Sequence, residues 1–150
     1  MTVEDNTITF STAQISVIVH ATENQDKILQ SINDVLYISP DRFSSNISEG
    51  HWGNRILILS AVIASAEANS LVSKILSGLN KTDRHTLSDF FDNYIDEKGN
   101  LYIRLDKQRI CQGRFSLSDN DSIRIRLRPV RKYKPTRILE SYRRLLTSRE

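Results

Sequence analysis

The sequence predicts a two-layer α/β (α+β) domain, a mostly antiparallel sheet with helices on one face. Three observations carry that prediction. Apolar–polar alternation with a period of two recurs around residues 14–20, 101–106 and 123–128, as in half-buried strands. Stretches with apolar residues three and four apart stand between the first two of these, as in amphipathic helices. Clusters of Pro, Gly, Asn, Asp and Ser separate the two kinds of segment. The order is roughly β-α-β-α-α-β-β-β-α, without an internal repeat.

Each element has its own signal. Ile15, Val17 and Val19 alternate with Gln14, Ser16 and His20, which makes the first strand. Thr22 to Gln25 reads as a capping box for a helix over residues 23–37, with the stripe Ile28, Leu29, Ile32, Val35 and Leu36. Ser39-Pro40-Asp41 stops it, because the residue before proline avoids the α region. Residues 42–54 read as irregular or weakly extended. Residues 55–64 are apolar on both faces and are expected to form the central strand. Ala68, Leu71, Val72, Ile75, Leu76 and Leu79 mark a second helix. Thr82 or Asp83 is expected to cap a third, carrying Leu87, Phe90, Phe91 and Tyr94. After the turn at 96–100, Leu101, Ile103 and Leu105 alternate with Tyr102, Arg104 and Asp106. Arg114 to Leu117 reads as a short strand, and Ile123, Ile125 and Leu127 alternate with Arg124, Arg126 and Arg128. Ile138, Leu139, Tyr142, Leu145 and Leu146 mark a final helix. This gives a domain over residues 1–130, its first 12 residues frayed, and a basic extension with a helix over 131–150.

At 150 residues the chain fits one domain, and 39% hydrophobic with 26% charged residues is a globular rather than a disordered composition. Cys111 is the only cysteine and no export signal is visible, so a reducing, cytoplasmic setting is expected. The longest apolar run, 56–66, is too short to cross a bilayer, and no membrane partner is expected. Residues 1–100 hold 7 Lys/Arg against 13 Asp/Glu, net −6, whereas residues 101–150 hold 14 against 5, net +9. Such segregation is the footprint of a polyanion partner, or of a basic segment packed on the acidic half of its own fold.

The sharpest candidate site is the ladder Arg124, Arg126 and Arg128, three guanidinium groups projecting from one side of a strand, which Tyr102 and Arg104 join if both strands share a sheet. Arginine forks match phosphate oxygens, and an exposed tyrosine stacks on a base. The competing reading is a solvated face whose arginines pair with the chain's own carboxylates. Lys107, Arg109 and Arg114 lie around the 106–114 connection, and Arg131, Lys132 and Lys134 lie between two prolines; both are candidate phosphate clamps or solubilising connectors. In the segment 49–54, His51 and Asn54 are candidate contacts and Trp52 either stacks or packs into the core. His20, His51 and His85 lack metal-ligand spacing, and no phosphate loop, dinucleotide fingerprint or nucleophile elbow occurs. No metal, cofactor or catalytic residue is therefore assigned. A nuclease using His20 and His51 is the enzymatic alternative.

Several phrases in this order resemble a known family: His20-Ala21-Thr22-Glu23, Glu49-Gly50-His51-Trp52-Gly53-Asn54, the run from Asp96 to Gln108, then Gly113 and the Ile-Arg alternation. They are similar to an archaeal family of small proteins described as predicted RNA-binding proteins and predicted exosome subunits, with the fold of ribosomal protein L5. The resemblance covers roughly residues 13–128. It implies RNA as partner, exosome or ribosomal components as associates, and His51, Gly53, Asn54, Asp106 and Lys107 as candidate contacts. The function expected is a non-catalytic RNA-binding accessory protein. The alternative is a protein-interaction module, a homodimer or complex subunit, because one apolar face of the 55–64 strand would need a cover.

Overall fold

The computed structural model describes residues 8–50, 52–130 and Arg144. Apart from Arg144, the expected basic tail with its helix, like His51, lies outside the described residues. In chain order the elements are β1 (Phe10–His20), α1 (Gln25–Leu36), β2 (Ser44–Glu49), β3 (Arg55–Ala64), α2 (Ser65–Gly78), α3 (Lys81–Asp89), β4 (Leu101–Asp106), α4 (Lys107–Cys111) and β5 (Ser122–Pro129). The five strands form one sheet in the order β2-β3-β1-β5-β4, and every neighbouring pair is antiparallel. The fold class predicted from alternation and stripe spacing is the one observed.

Alternation decides which face is buried. Ala13, Ile15, Val17 and Val19 of β1 are buried, as are Leu59, Ala61 and Ile63 of β3, Ile123, Ile125 and Leu127 of β5, and Leu101, Ile103 and Leu105 of β4. Because strand partners in register point to one side, these residues form a single apolar face. It is sealed by Ile28, Leu29, Ile32 and Leu36 of α1 and by Ala68, Leu71, Val72, Ile75 and Leu76 of α2. At roughly 1.5–3 kcal/mol for each fully buried aliphatic side chain, this face dominates folding. Among the described residues no helix covers the opposite face, which carries the alternate side chains.

Several boundaries differ from the sequence expectations. The cap of α1 is Asn24, whose side chain accepts the Lys27 N–H, not Thr22. The Glu23 carboxylate instead accepts the backbone N–H of His20 and the Lys107 ammonium, so the first turn of the expected helix is drawn out. Asn80, whose amide oxygen accepts the Asp83 N–H, caps α3 ahead of the expected position. Residues 44–49 pair fully with β3 as an edge strand; small polar Ser and Asn side chains hid its alternation. The central strand is β1, not β3. The second apolar face of β3 is accounted for locally, since Ile56 and Ile58 flank Ile18 of β1 in register, all three half-buried, and Val62 is exposed. Residues 114–117 make only isolated bridges, Leu79 with Phe115 and Leu105 with Leu117.

Candidate nucleic-acid interface

The outward face of β5 carries Arg124, Arg126 and Arg128, each exposed. Residues two apart on a strand are separated by about 6.8 Å, so the three guanidinium groups form a row about 14 Å long. In register, Arg104 stands beside Arg124 and Tyr102 beside Arg126, both from β4, which places them on the same face. On the other flank of the row, β1 sets Ser16 beside Arg124, Gln14 beside Arg126 and Thr12 beside Arg128. The predicted ladder and its two β4 companions are therefore brought together. Among the described residues, Arg104, Arg124, Arg126 and Arg128 form no ion pair; the described ion pairs lie at Arg42–Glu67 and around Lys107. Four like charges left facing water set up the kind of positive field that concentrates polyanions.

The surface around the row is shallow. A depression of about 250 Å³ is lined by Gln14, Ser16, Tyr102, Arg104, Arg124 and Arg126. A second, of about 380 Å³, lies at the Arg126 and Arg128 end beside Lys98 and Asn100. Tyr102 is 39% exposed, and its hydroxyl donates to Asp96 Oδ2 at 2.9 Å. Burial and the Asp96 carboxylate raise the phenol's pKa, against the opposing pull of Arg126. Burial would by itself raise the Asp96 pKa as well. Hydrogen bonds from Asn100 side chain and backbone, the Tyr102 hydroxyl and the Lys98 N–H outweigh it and hold the carboxyl below its usual range. Asp96 thus pins the turn that starts β4 and aims Tyr102, and Gly99 in that turn adopts φ +84°.

Lys107 is the clearest correction to the expected site. Expected as a phosphate contact, it is 0% exposed. Its ammonium donates to Glu23 Oε1 at 2.7 Å and to the Ile18 carbonyl at 2.8 Å, and it lies 2.9 Å from Asp121 Oδ2. The chain turns into α4 directly after β4, which swings the side chain inward, and the ends of β1, α1 and the turn before β5 close over it. Asp106 accepts the Arg109 N–H as the cap of α4. Arg109 and Arg114 are exposed, on and just after a helix that packs against α1, and do not extend the β5 row. His20 Nε2 stands 3.7 Å from Asp121 and 4.0 Å from Glu23. Oxygen and nitrogen donors of these three lie within 4.8 Å of one another, but the Lys107 ammonium is already bound to both carboxylates, a resident cation that opposes a metal there.

The 49–54 segment is the tip of the β2–β3 hairpin. Gly50 N–H donates to the Asn54 carbonyl, Gly53 N–H to the Gly50 carbonyl, and Gly53 has φ +76°. Trp52 is 89% exposed, so it does not pack into the core. Asn54 stands at this hairpin, which belongs to the sheet edge opposite β4, with β1 between it and the arginine row. Gln14, Ser16 and Ser60 belong to the open face and were missed in the sequence. Their own segments mark them at most as outward and polar; register places Ser16 beside Arg124, Gln14 beside Arg126, and Ser60 beside Ser16.

The fold and face together define a two-layer α+β domain with helices on one side and, on the other, a basic sheet face that no described element covers. The chain belongs to the family described as RNA binding, whose model matches residues 12–128. The RNA-binding protein PAB1135 of Pyrococcus abyssi is 31% identical over 115 residues, covering 73% of this chain and 75% of that one. The SSO0741 protein of Sulfolobus solfataricus superposes with a TM-score of 0.72 at 26% identity, covering 93% of this chain and 99% of that one. Mth689 of Methanothermobacter thermautotrophicus, a DUF54 protein, superposes with a TM-score of 0.75 at 22% identity, covering 92% and 98%, a likeness of fold.

Proposed function

We propose that this chain is a non-catalytic RNA-binding accessory protein whose open sheet face holds the phosphate backbone. The observation that carries the reading is the row Arg124, Arg126 and Arg128 with Arg104 beside it, exposed and free of ion pairs among the described residues. The family description and the name of the Pyrococcus relative point the same way. Affinity comes from arginine–phosphate contacts that release counterions, so it falls steeply with salt. Tyr102 contributes its ring face, since its hydroxyl is engaged by Asp96. Association with exosome or ribosomal components, which the family resemblance implies, belongs to the same proposal. The experiment is a salt titration of RNA affinity for the wild type and for the triple variant Arg124→Glu, Arg126→Glu, Arg128→Glu. The log–log slope is expected to shrink by about 2–3, close to one unit per lost phosphate contact. An unchanged slope removes these arginines from the interface.

One observation favours a second reading, assembly through β2. All six of its residues are exposed, Ile47 is 66% exposed, and an edge strand offers unpaired backbone groups to another chain. Light scattering of the purified protein separates the readings: a monomer at all concentrations excludes self-assembly through this edge.

A further inference from the structure

We infer that the RNA held by the open face is double-helical rather than single-stranded, an inference that rests on the RNA-binding reading above. Its basis is what stands beside the arginines. Following the register across the sheet from β4 to β2, one row reads Arg104, Arg124, Ser16, Ser60, Ser44. The next reads Tyr102, Arg126, Gln14, Val62. Arg128 stands beside Thr12. Each arginine of β5 thus has a hydroxyl or amide side chain one strand away, about 4.8 Å across the sheet. The Ser16, Ser60 and Ser44 side chains are short, so the surface falls from an arginine ridge to a low floor of hydroxyl groups.

That pattern suits one form of RNA. Single strands are held by stacking their unpaired bases on aromatic side chains. Among the described residues two aromatic rings stand in the paired positions of the open face: Tyr102 at the edge strand, and His20 at the last position of β1, whose Nε2 lies 3.7 Å from Asp121 and 4.0 Å from Glu23, so no run of aromatic rings follows the arginine row. An A-form duplex keeps its bases stacked inside. It presents phosphates flanking a wide, shallow minor groove lined by 2′-hydroxyls, and proteins read it by shape through those two groups. The arginine row matches one phosphate strand, and the serine and glutamine side chains match the neighbouring 2′-hydroxyls as donors and acceptors. The rival place for an unstacked base lies beyond β4, a depression of about 500 Å³ among Phe90, Tyr94, Tyr102 and Arg104. Asp119 also lines it, and its carboxylate repels phosphate.

The test compares three probes at one salt concentration: an RNA duplex of about 16–20 base pairs, the size a shape-reading module spans, one of its strands alone, and the DNA duplex of the same sequence. The RNA duplex is expected to bind at least about tenfold tighter than either of the others, the value of one or two net hydrogen bonds. In a Ser16→Ala, Ser60→Ala variant the preference for RNA over DNA duplex is expected to fall towards unity while the salt slope stays at its wild-type value. Equal or tighter binding of the single strand overturns the inference and leaves the RNA-binding reading standing. So does an RNA/DNA ratio near one, or a ratio untouched by the serine substitutions. Binding of no RNA at any salt concentration overturns both.

Discussion

Lys107 shows how a single side chain can be misassigned by its surroundings in sequence. It stands among Asp106, Arg109 and Arg114, in a stretch that reads as an exposed basic connection, yet it is buried against Glu23, Asp121 and the Ile18 carbonyl. Its acceptors come from positions 84 and 89 residues earlier and from the turn before β5, so no local pattern announces them. Lys107→Met is expected to cost about 2–4 kcal/mol, because two carboxylates would face each other without a counter-charge. A urea midpoint equal to the wild type would contradict this account of the site. Asp96 makes a second prediction at this scale. Its folded pKa is depressed, so the stability it contributes is present above the unfolded carboxylate value of about 4 and is lost as pH falls through the lower folded value. The stability difference between wild type and Asp96→Asn should therefore narrow below about pH 4. A difference constant down to pH 2 would remove Asp96 as the anchor of its turn.

The elements with strong periodicity were legible. β1, β4 and β5 alternate cleanly because one face is packed and the other wet, and α1 and α2 carry complete apolar stripes. β2 was not legible, because an edge strand exposed at every residue has no buried set to impose alternation. β3 invited the wrong position, since apolar residues on both faces usually mean a central strand; here Ile56, Ile58 and Ile18 shield one another on the open side. The joins between elements depend on side chains that pattern does not reveal. Asn69 of α2 accepts the Phe10 N–H and donates to the Phe10 carbonyl, holding the irregular start of β1. Asn69→Ala is expected to cost about 1–3 kcal/mol and to increase amide exchange at Phe10; unchanged protection there would contradict the role. Gly78 ends α2 against the Phe115 ring, where a β-carbon would collide with it. Gly78→Ala should destabilise by about 1–3 kcal/mol in thermal unfolding, and a stabilised variant would mean that the ring moves freely aside.

Across the whole molecule, the excess of positive charge in the last third was plain in the sequence, but its sidedness was not. Alternation placed Arg124, Arg126 and Arg128 on one side of a strand. Only the pairing of β5 with β4 and β1 shows that Arg104, Tyr102, Gln14 and Ser16 share that side. The same topology separates Asn54 and Trp52 from the row by placing them at the hairpin of the opposite sheet edge. Among the described residues one face packs helices and the other carries none, so stability and binding draw on different residues, and charge reversal on β5 should leave folding nearly intact. The most direct measurement is a nuclear magnetic resonance titration of the labelled protein with an RNA duplex, following backbone amides and arginine Nε–H groups. Shifts are expected at Arg104, Arg124, Arg126 and Arg128 and along β1, β4 and β5, with α1 and α2 unmoved. Shifts gathered on the helices, with the four arginine side chains unperturbed, would contradict this interface.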